Sequence, residues 1–146
     1  MNKNKPTYDA FISYSAEDGL FAKNLANALR NQGLKVWYDE GKLRFGDSFL
    51  REIENALEES RYFILILSPS YFDKQWANFE LGVALSRDFS SRKKHIFPIY
   101  ARDIDPKSLP PSLVKLGGLY AKEHPVDEIA AILAENILQD VSESEA

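Results

Sequence analysis

The sequence predicts a single α/β domain built around a parallel β-sheet, and three observations carry that expectation. Short runs rich in β-branched and aromatic residues alternate with longer segments whose apolar residues recur at helical spacing. This is the pattern a parallel sheet with crossover helices leaves in a chain. One run, Tyr62-Phe63-Ile64-Leu65-Ile66-Leu67, has six apolar residues with no polar alternation, as expected of a strand covered on both faces at the centre of the sheet. The chain has 146 residues, 45% hydrophobic and 27% charged, which suits one core and leaves no room for a second domain of ordinary size.

The first strand is expected at Tyr8-Asp9-Ala10-Phe11-Ile12-Ser13-Tyr14. Ser15, Glu17 and Asp18 then offer cap chemistry for a helix whose apolar face is Phe21, Leu25, Ala28 and Leu29. Gly33 is placed to stop that helix. Leu34-Lys35-Val36-Trp37-Tyr38-Asp39 reads as the second strand, and a loop with two glycines, Gly41 and Gly46, follows it. A second helix, with Phe49, Ile53, Ala56 and Leu57 on one face, leads to the long apolar run. Ser68-Pro69-Ser70 ends that run, and residues 71–85, which carry Trp76 and Glu80, have the pattern of a third helix.

Ile96-Phe97-Pro98-Ile99-Tyr100 is a fourth strand. Pro98 cannot donate to a ladder, which places this strand toward an edge or at a bulge. Residues 103–112 read as a proline-bearing loop, residues 116–120 as a short fifth strand, and Val126, Ile129, Leu133 and Ile137 as the face of a last helix. The expected domain spans residues 8–138, after a polar tail at 1–7. Residues 139–146 are polar and acidic, with the look of a tail or the start of a linker.

Composition removes several classes of function. The absence of cysteine excludes disulfides, thiolate metal sites and a cysteine nucleophile. Two histidines, His95 and His124, are too few for most zinc sites, so no metal is expected. A net charge of −4 argues against direct binding to nucleic acid, and Arg92-Lys93-Lys94 reads as a solvated loop. No apolar run is long enough for a membrane span and no leader pattern is evident, so a cytoplasmic protein is expected.

The order of these signals resembles a known family. Tyr8-Asp9-Ala10-Phe11-Ile12-Ser13-Tyr14-Ser15 is similar to the first-strand motif of TIR domains, the Toll/interleukin-1 receptor homology domains. Gly33-Leu34-Lys35-Val36-Trp37-Tyr38-Asp39-Glu40, then Leu43 and Gly46-Asp47-Ser48, resembles the family's second strand and its BB loop. Ile64-Leu65-Ile66-Leu67-Ser68-Pro69-Ser70-Tyr71, then Trp76 and Glu80-Leu81, is similar to the third strand and following helix. Phe97-Pro98-Ile99 resembles the fourth strand, where a proline is usual. Four motifs in the right order implicate residues 8–137. The resemblance implies a flavodoxin-like three-layer sandwich with a five-stranded parallel sheet of order 2-1-3-4-5 and helices on both faces.

TIR domains include scaffolds that assemble with one another and enzymes that cleave NAD+ at the nicotinamide-ribose bond. The enzymes use a glutamate on the helix after the third strand, and Glu80 matches it. Trp76 precedes Glu80 by four residues, so a helix would project both from one face. Trp76 is either a core aromatic or a flat surface for a substrate ring. By the same resemblance Tyr14, Ser15 and Ala16 border the NAD+ pocket, and Arg44, Phe45 and Ser48 lie in or beside the BB loop. Some enzymatic relatives carry an acidic residue where Arg44 aligns, which is a departure from their pattern.

NAD+ would be the substrate, with no cofactor, because nicotinamide leaves as a neutral molecule. A fixed carboxylate would stabilise the oxocarbenium-like ribose left behind. The products expected are nicotinamide and ADP-ribose or a cyclic form of it, in antiviral defence or as an effector, with self-association through other TIR domains. The alternative is a non-catalytic interaction scaffold.

Other readings fail on specific residues. A phosphorylation receiver shares this winding but needs an aspartate at the end of the third strand, where Ser68 stands. No G-x-G-x-x-G follows a strand, and neither G-x-x-x-x-G-K-[ST] nor G-x-S-x-G occurs.

Overall fold

The computed structural model describes residues 7–38, 59–69, 95–101 and 118–145. Within them are β1 (Tyr8–Ser13), a 3-10 turn (Ala16–Asp18), α1 (Gly19–Asn31), β2 (Val36–Trp37), β3 (Ser60–Leu67), β4 (His95–Tyr100), β5 (Leu119–Tyr120) and α2 (Val126–Glu145). The helices expected at 48–57 and 71–85, the BB loop, the basic cluster at 92–94 and the loop at 103–112 lie outside the described residues.

All strand pairs are parallel, and the sheet has the order β2-β1-β3-β4-β5. This is the flavodoxin-like winding. β3 lies at its centre, paired on one side with β1 through Phe11↔Phe63 and Ile12↔Ile64, and on the other with β4 through Ile64↔Phe97 and Ile66↔Ile99. Tyr62 to Leu67 are all buried, so both faces of the strand are covered, as its unbroken apolar run requires. Tyr62, Ile64 and Ile66 share a core with Ala10 and Ile12 of β1 and with Leu25, Leu29, Ile129, Leu133 and Ile137 of the two described helices. Phe11 and Phe63, on the other face, meet at a ring separation of 5.0 Å.

Helix α1 buries Ala22, Leu25, Ala26, Ala28 and Leu29. Its end is set by a Schellman motif: Gly33 N donates to Arg30 O at 2.9 Å, and Leu34 N reaches back to Leu29 O at 3.2 Å. Gly33 has φ +91°, a conformation that costs an L side chain strain. Leu34 and Leu29 are both core residues, so the motif carries its usual apolar contact. The chain then turns directly into β2, where Lys35 N donates to Asp9 Oδ2 at 2.8 Å and Arg30 Nη2 to Val36 O at 3.0 Å. Trp37 packs on the rings of Tyr8 and Phe11.

Pro98 sits in β4, one strand in from the edge. Its carbonyl oxygen faces Gly118, just before β5 begins. A strand residue points its N–H and C=O to the same side, so the donor that proline lacks falls where the β4–β5 ladder has not yet started. That ladder consists of Ile99↔Leu119 and Tyr100↔Tyr120, and the rings of the second pair stack at 4.7 Å. Burial, and then the neighbouring Tyr120, push the Tyr100 phenol above its ordinary value of 10.0. The last helix runs on past Gln139 to Glu145.

Two glycines separate backbone strain from steric exclusion. A Cβ at Gly33 would meet nothing within 4 Å, whereas one at Gly118, φ +145°, would lie 2.7 Å from Pro98 O and 2.7 Å from Tyr100 Cε2. Gly33→Ala is expected to cost about 1 kcal/mol from left-handed strain alone. Gly118→Ala should cost more, about 2 to 3 kcal/mol, because overpacking against a backbone oxygen adds to the strain. Urea unfolding of both variants measures the difference, and a Gly118→Ala variant no less stable than Gly33→Ala would contradict this account of β5.

Candidate functional site

In a parallel sheet every strand ends at the same edge, and open α/β sheets place ligands there, at the point where the strand order reverses. With order β2-β1-β3 that point lies between β1 and β3. The chain leaves β1 through Tyr14 and Ser15 and leaves β3 through Ser68. Both exits carry polar residues, and the structure joins them.

The joint is Asp18. Ser15 Oγ donates to Asp18 Oδ2 at 2.9 Å, and Ser68 Oγ donates to the same oxygen. Ser15 and Ser68 are fully buried and Asp18 is 3% exposed. The backbone repeats the local link, with Asp18 N donating to Ser15 O at 2.9 Å across the 3-10 turn. Asp18 stands at the N-cap position of α1, yet its side chain makes no capping hydrogen bond. The cap chemistry expected at this turn is therefore redirected: the carboxylate gains from the helix dipole by position and spends its hydrogen bonds on the strand ends.

Beside this cluster Tyr14 stacks on Tyr38 at 5.3 Å between ring centroids. Tyr38 Oη donates to Gly19 O at 3.4 Å, and Gly19 leaves ordinary contact room for the Tyr14 ring. Both tyrosines are half-buried. The ends of β1 and β2 and the start of α1 thus form one aromatic wall next to a buried polar joint.

Of the residues expected at a substrate site, the structure brings Tyr14 and Ser15 to this edge, and Ala16 opens the 3-10 turn. The Ser15 hydroxyl is committed to Asp18. Arg44, Phe45, Ser48, Trp76 and Glu80 lie outside the described residues. Sequence reasoning missed the joint: Asp18 was visible as a cap, and Ser68 as the residue that ends the third strand and rules out a receiver. The available signal was a polar residue at the end of each of the two most apolar strands. Among the described residues no cluster of potential metal ligands occurs, and no helix is long and apolar enough to cross a membrane.

The TIR-domain profile matches residues 10–134, most of the chain. The chain belongs to the TIR-domain family. Among curated relatives this TIR domain is 38% identical over 125 residues to the 2' cyclic ADP-D-ribose synthase BtTIR of Bacteroides thetaiotaomicron, covering 84% of this chain and 43% of that protein. It is 37% identical over 132 residues to the NAD(+) hydrolase PdTIR of Paracoccus denitrificans, covering 88% of this chain and 44% of the relative. The chain spans about half the length of such relatives, or less. Among solved structures it is similar to the TIR domain of the Toll-related receptor TRR-2 of Hydra magnipapillata, with a TM-score of 0.66 and 25% identity over 93% of this chain and 99% of that one.

The joint has a direct stability consequence. Ser68→Ala withdraws a hydrogen-bond donor from a buried carboxylate and should cost about 1 to 3 kcal/mol. Equilibrium unfolding measures it. A Ser68→Ala variant as stable as the parent would show that Asp18 does not depend on β3 for its hydrogen bonding.

Proposed function

We propose that this TIR domain cleaves NAD+ at the bond between nicotinamide and ribose, with Glu80 as the catalytic carboxylate. The observation that carries the reading is the set of relatives 35–43% identical to the chain whose names are NAD(+) hydrolase or 2' cyclic ADP-D-ribose synthase. The fold supports it by presenting a polar, aromatic-walled edge at the switch point of the sheet, from the segment that includes Tyr14, Ser15 and Ala16. Glu80 and Trp76 come twelve and eight residues after Ser68 in sequence.

The chemistry needs few parts. Departure of neutral nicotinamide leaves positive charge on the ribose, and a nearby carboxylate stabilises it as it develops. Water adding to the ribose carbon gives ADP-ribose and a proton. A hydroxyl of the same ADP-ribose adding there instead gives a cyclic form. The choice between them rests on whether the site admits water or folds the substrate back on itself. Trp76 would offer its ring to a substrate base, and Arg44, Phe45 and Ser48 would border the opening.

In this proposal the TIR domain spans residues 8–138 and acts in the cytoplasm, in defence against phage or as an effector, and it works as an assembly. Leu43 and Phe45 give the BB loop, residues 41–47, two large apolar side chains among permissive ones, a composition suited to a contact between copies.

The decisive experiment incubates the purified domain with NAD+ at high protein concentration and follows free nicotinamide. Glu80→Gln keeps the shape of the side chain and removes its charge, so turnover should fall by about two orders of magnitude with the melting temperature retained. A folded Glu80→Gln protein that turns over NAD+ at the parent's rate would reject the catalytic assignment, and a parent that releases no nicotinamide would favour the scaffold.

Assembly makes a separate prediction. Specific activity should climb with protein concentration through the range in which light scattering detects association. A rate per molecule that stays flat across that range would mean that each domain acts alone.

A further inference from the structure

Asp18 holds the two strand ends at the switch point together instead of capping α1 with its side chain. As an N-cap it would hydrogen-bond the free amides of the first turn of α1, and it makes no such bond. As a packing element it is a poor choice, because removing a carboxylate from water is costly and an apolar pair would join β1 to β3 without that cost. What a buried carboxylate supplies is geometry. Two hydroxyls from residues 53 positions apart in the chain, Ser15 and Ser68, converge on one oxygen, and that oxygen sits in the turn that opens α1.

The convergence fixes the segment that follows β1. The β1–β3 register pairs Ser13 with Leu65, so Ser15 leaves its strand at the level where β3 is ending. Without Asp18 the turn at Ala16–Asp18 would be tied to β1 through the backbone bond from Asp18 N to Ser15 O, while β3 would lose this side-chain link to it. With Asp18 in place, the exit of β1, the start of α1 and the exit of β3 are joined through one carboxylate oxygen. The exit of β3 is also the point from which the chain runs on to Trp76 and Glu80.

We propose that Asp18 is a positioning residue for NAD+ turnover: it locks the segment of Tyr14, Ser15 and Ala16 to the end of β3, the point from which the chain runs on toward Glu80. The inference rests on the NAD+ reading for its reaction, and on the observed joint for its geometry. It differs from a purely structural role in what it moves. A structural residue changes how much protein is folded, whereas a positioning residue changes the turnover of the protein that is folded.

The test compares the parent with Asp18→Ala and Asp18→Asn at a temperature well below the melting point of each. In Asp18→Ala kcat should fall about tenfold or more, because small misplacements of a reacting group carry penalties of that order. Asp18→Asn keeps an oxygen that can accept from both serines and should recover most of the loss. Hydrogen exchange should show faster amides at residues 14–18 and 67–69 in Asp18→Ala, with α2 unchanged. If Asp18→Ala does not fold, Ser15→Ala and Ser68→Ala each remove one donor and should lower kcat in the same direction, with less than additive effects when combined.

A folded Asp18→Ala protein with the parent's kcat and KM overturns the positioning role. So does a loss that Asp18→Asn fails to recover while exchange at residues 14–18 and 67–69 matches the parent. A parent that releases no nicotinamide overturns the NAD+ reading, and the turnover part of this inference with it. The exchange measurement then decides the joint alone: unchanged amides at those residues in Asp18→Ala would overturn that too.

Discussion

The burial of β3 on both faces is the constraint from which the rest of the described structure follows. A strand with no wet face has nowhere to send its backbone donors and acceptors except to neighbouring strands, so β1 and β4 must pair with it along nearly its whole length. They do, from Tyr8↔Ser60 to Ser13↔Leu65 on one side and from Tyr62↔His95 to Leu67↔Tyr100 on the other. The outer strands carry less of this burden, and β2 and β5 are two residues each. The sheet is therefore deep at its centre and shallow at its edges, and its core residues cluster accordingly.

A sheet of this kind concentrates its polar chemistry at the ends of its central strands. The middles of β1 and β3 are taken up by apolar packing, and past those stretches the chain meets the polar residues Ser13, Ser15 and Ser68, all still buried. Buried hydroxyls need partners. Ser15 and Ser68 both donate to a carboxylate from the turn that starts α1, where the helix dipole favours negative charge. The joint at Asp18 thus satisfies hydroxyls that the fold would otherwise have to bury at a cost.

Most of this fold was legible in the chain because the deciding forces are local. Six apolar residues in succession are enough to mark β3, and Gly33 after a helical stripe is enough to mark a C-terminal cap, since few other residues adopt its φ of +91° at low cost. Of the β2 run read from Leu34 to Asp39, Val36–Trp37 form the strand and Asp39 lies outside the described residues; ahead of them Lys35 gives its backbone amide to the Asp9 side chain. Pro98 was legible as a misfit, and its resolution needed the third dimension: only the position of Gly118 shows on which side the missing donor falls. The cap role of Asp18 failed for a similar reason. Its partner Ser68 lies 50 residues away, and no windowed pattern relates residues at that distance. Of the expected site, Tyr14, Ser15 and Ala16 lie where the first-strand motif puts them, just past the end of β1, while Arg44, Phe45, Ser48, Trp76 and Glu80 lie in segments outside the described residues.

The same separation explains why family membership and a catalytic glutamate do not by themselves make a site. A carboxylate on a helix stabilises a developing cation only if the helix holds it at a fixed distance from the bound sugar, and water between them would weaken the effect many-fold. The central strand cannot slide, because moving its register by one residue would carry Phe63 and Ile64 each to the opposite face. Its end is nonetheless a free chain terminus of the ladder unless something ties it down. Asp18 supplies a tie to the exit of β1, at the level of the first residues beyond the sheet. Rigidity built by apolar packing in the centre is in this way carried a few ångströms further, to the edge where the chemistry would have to occur.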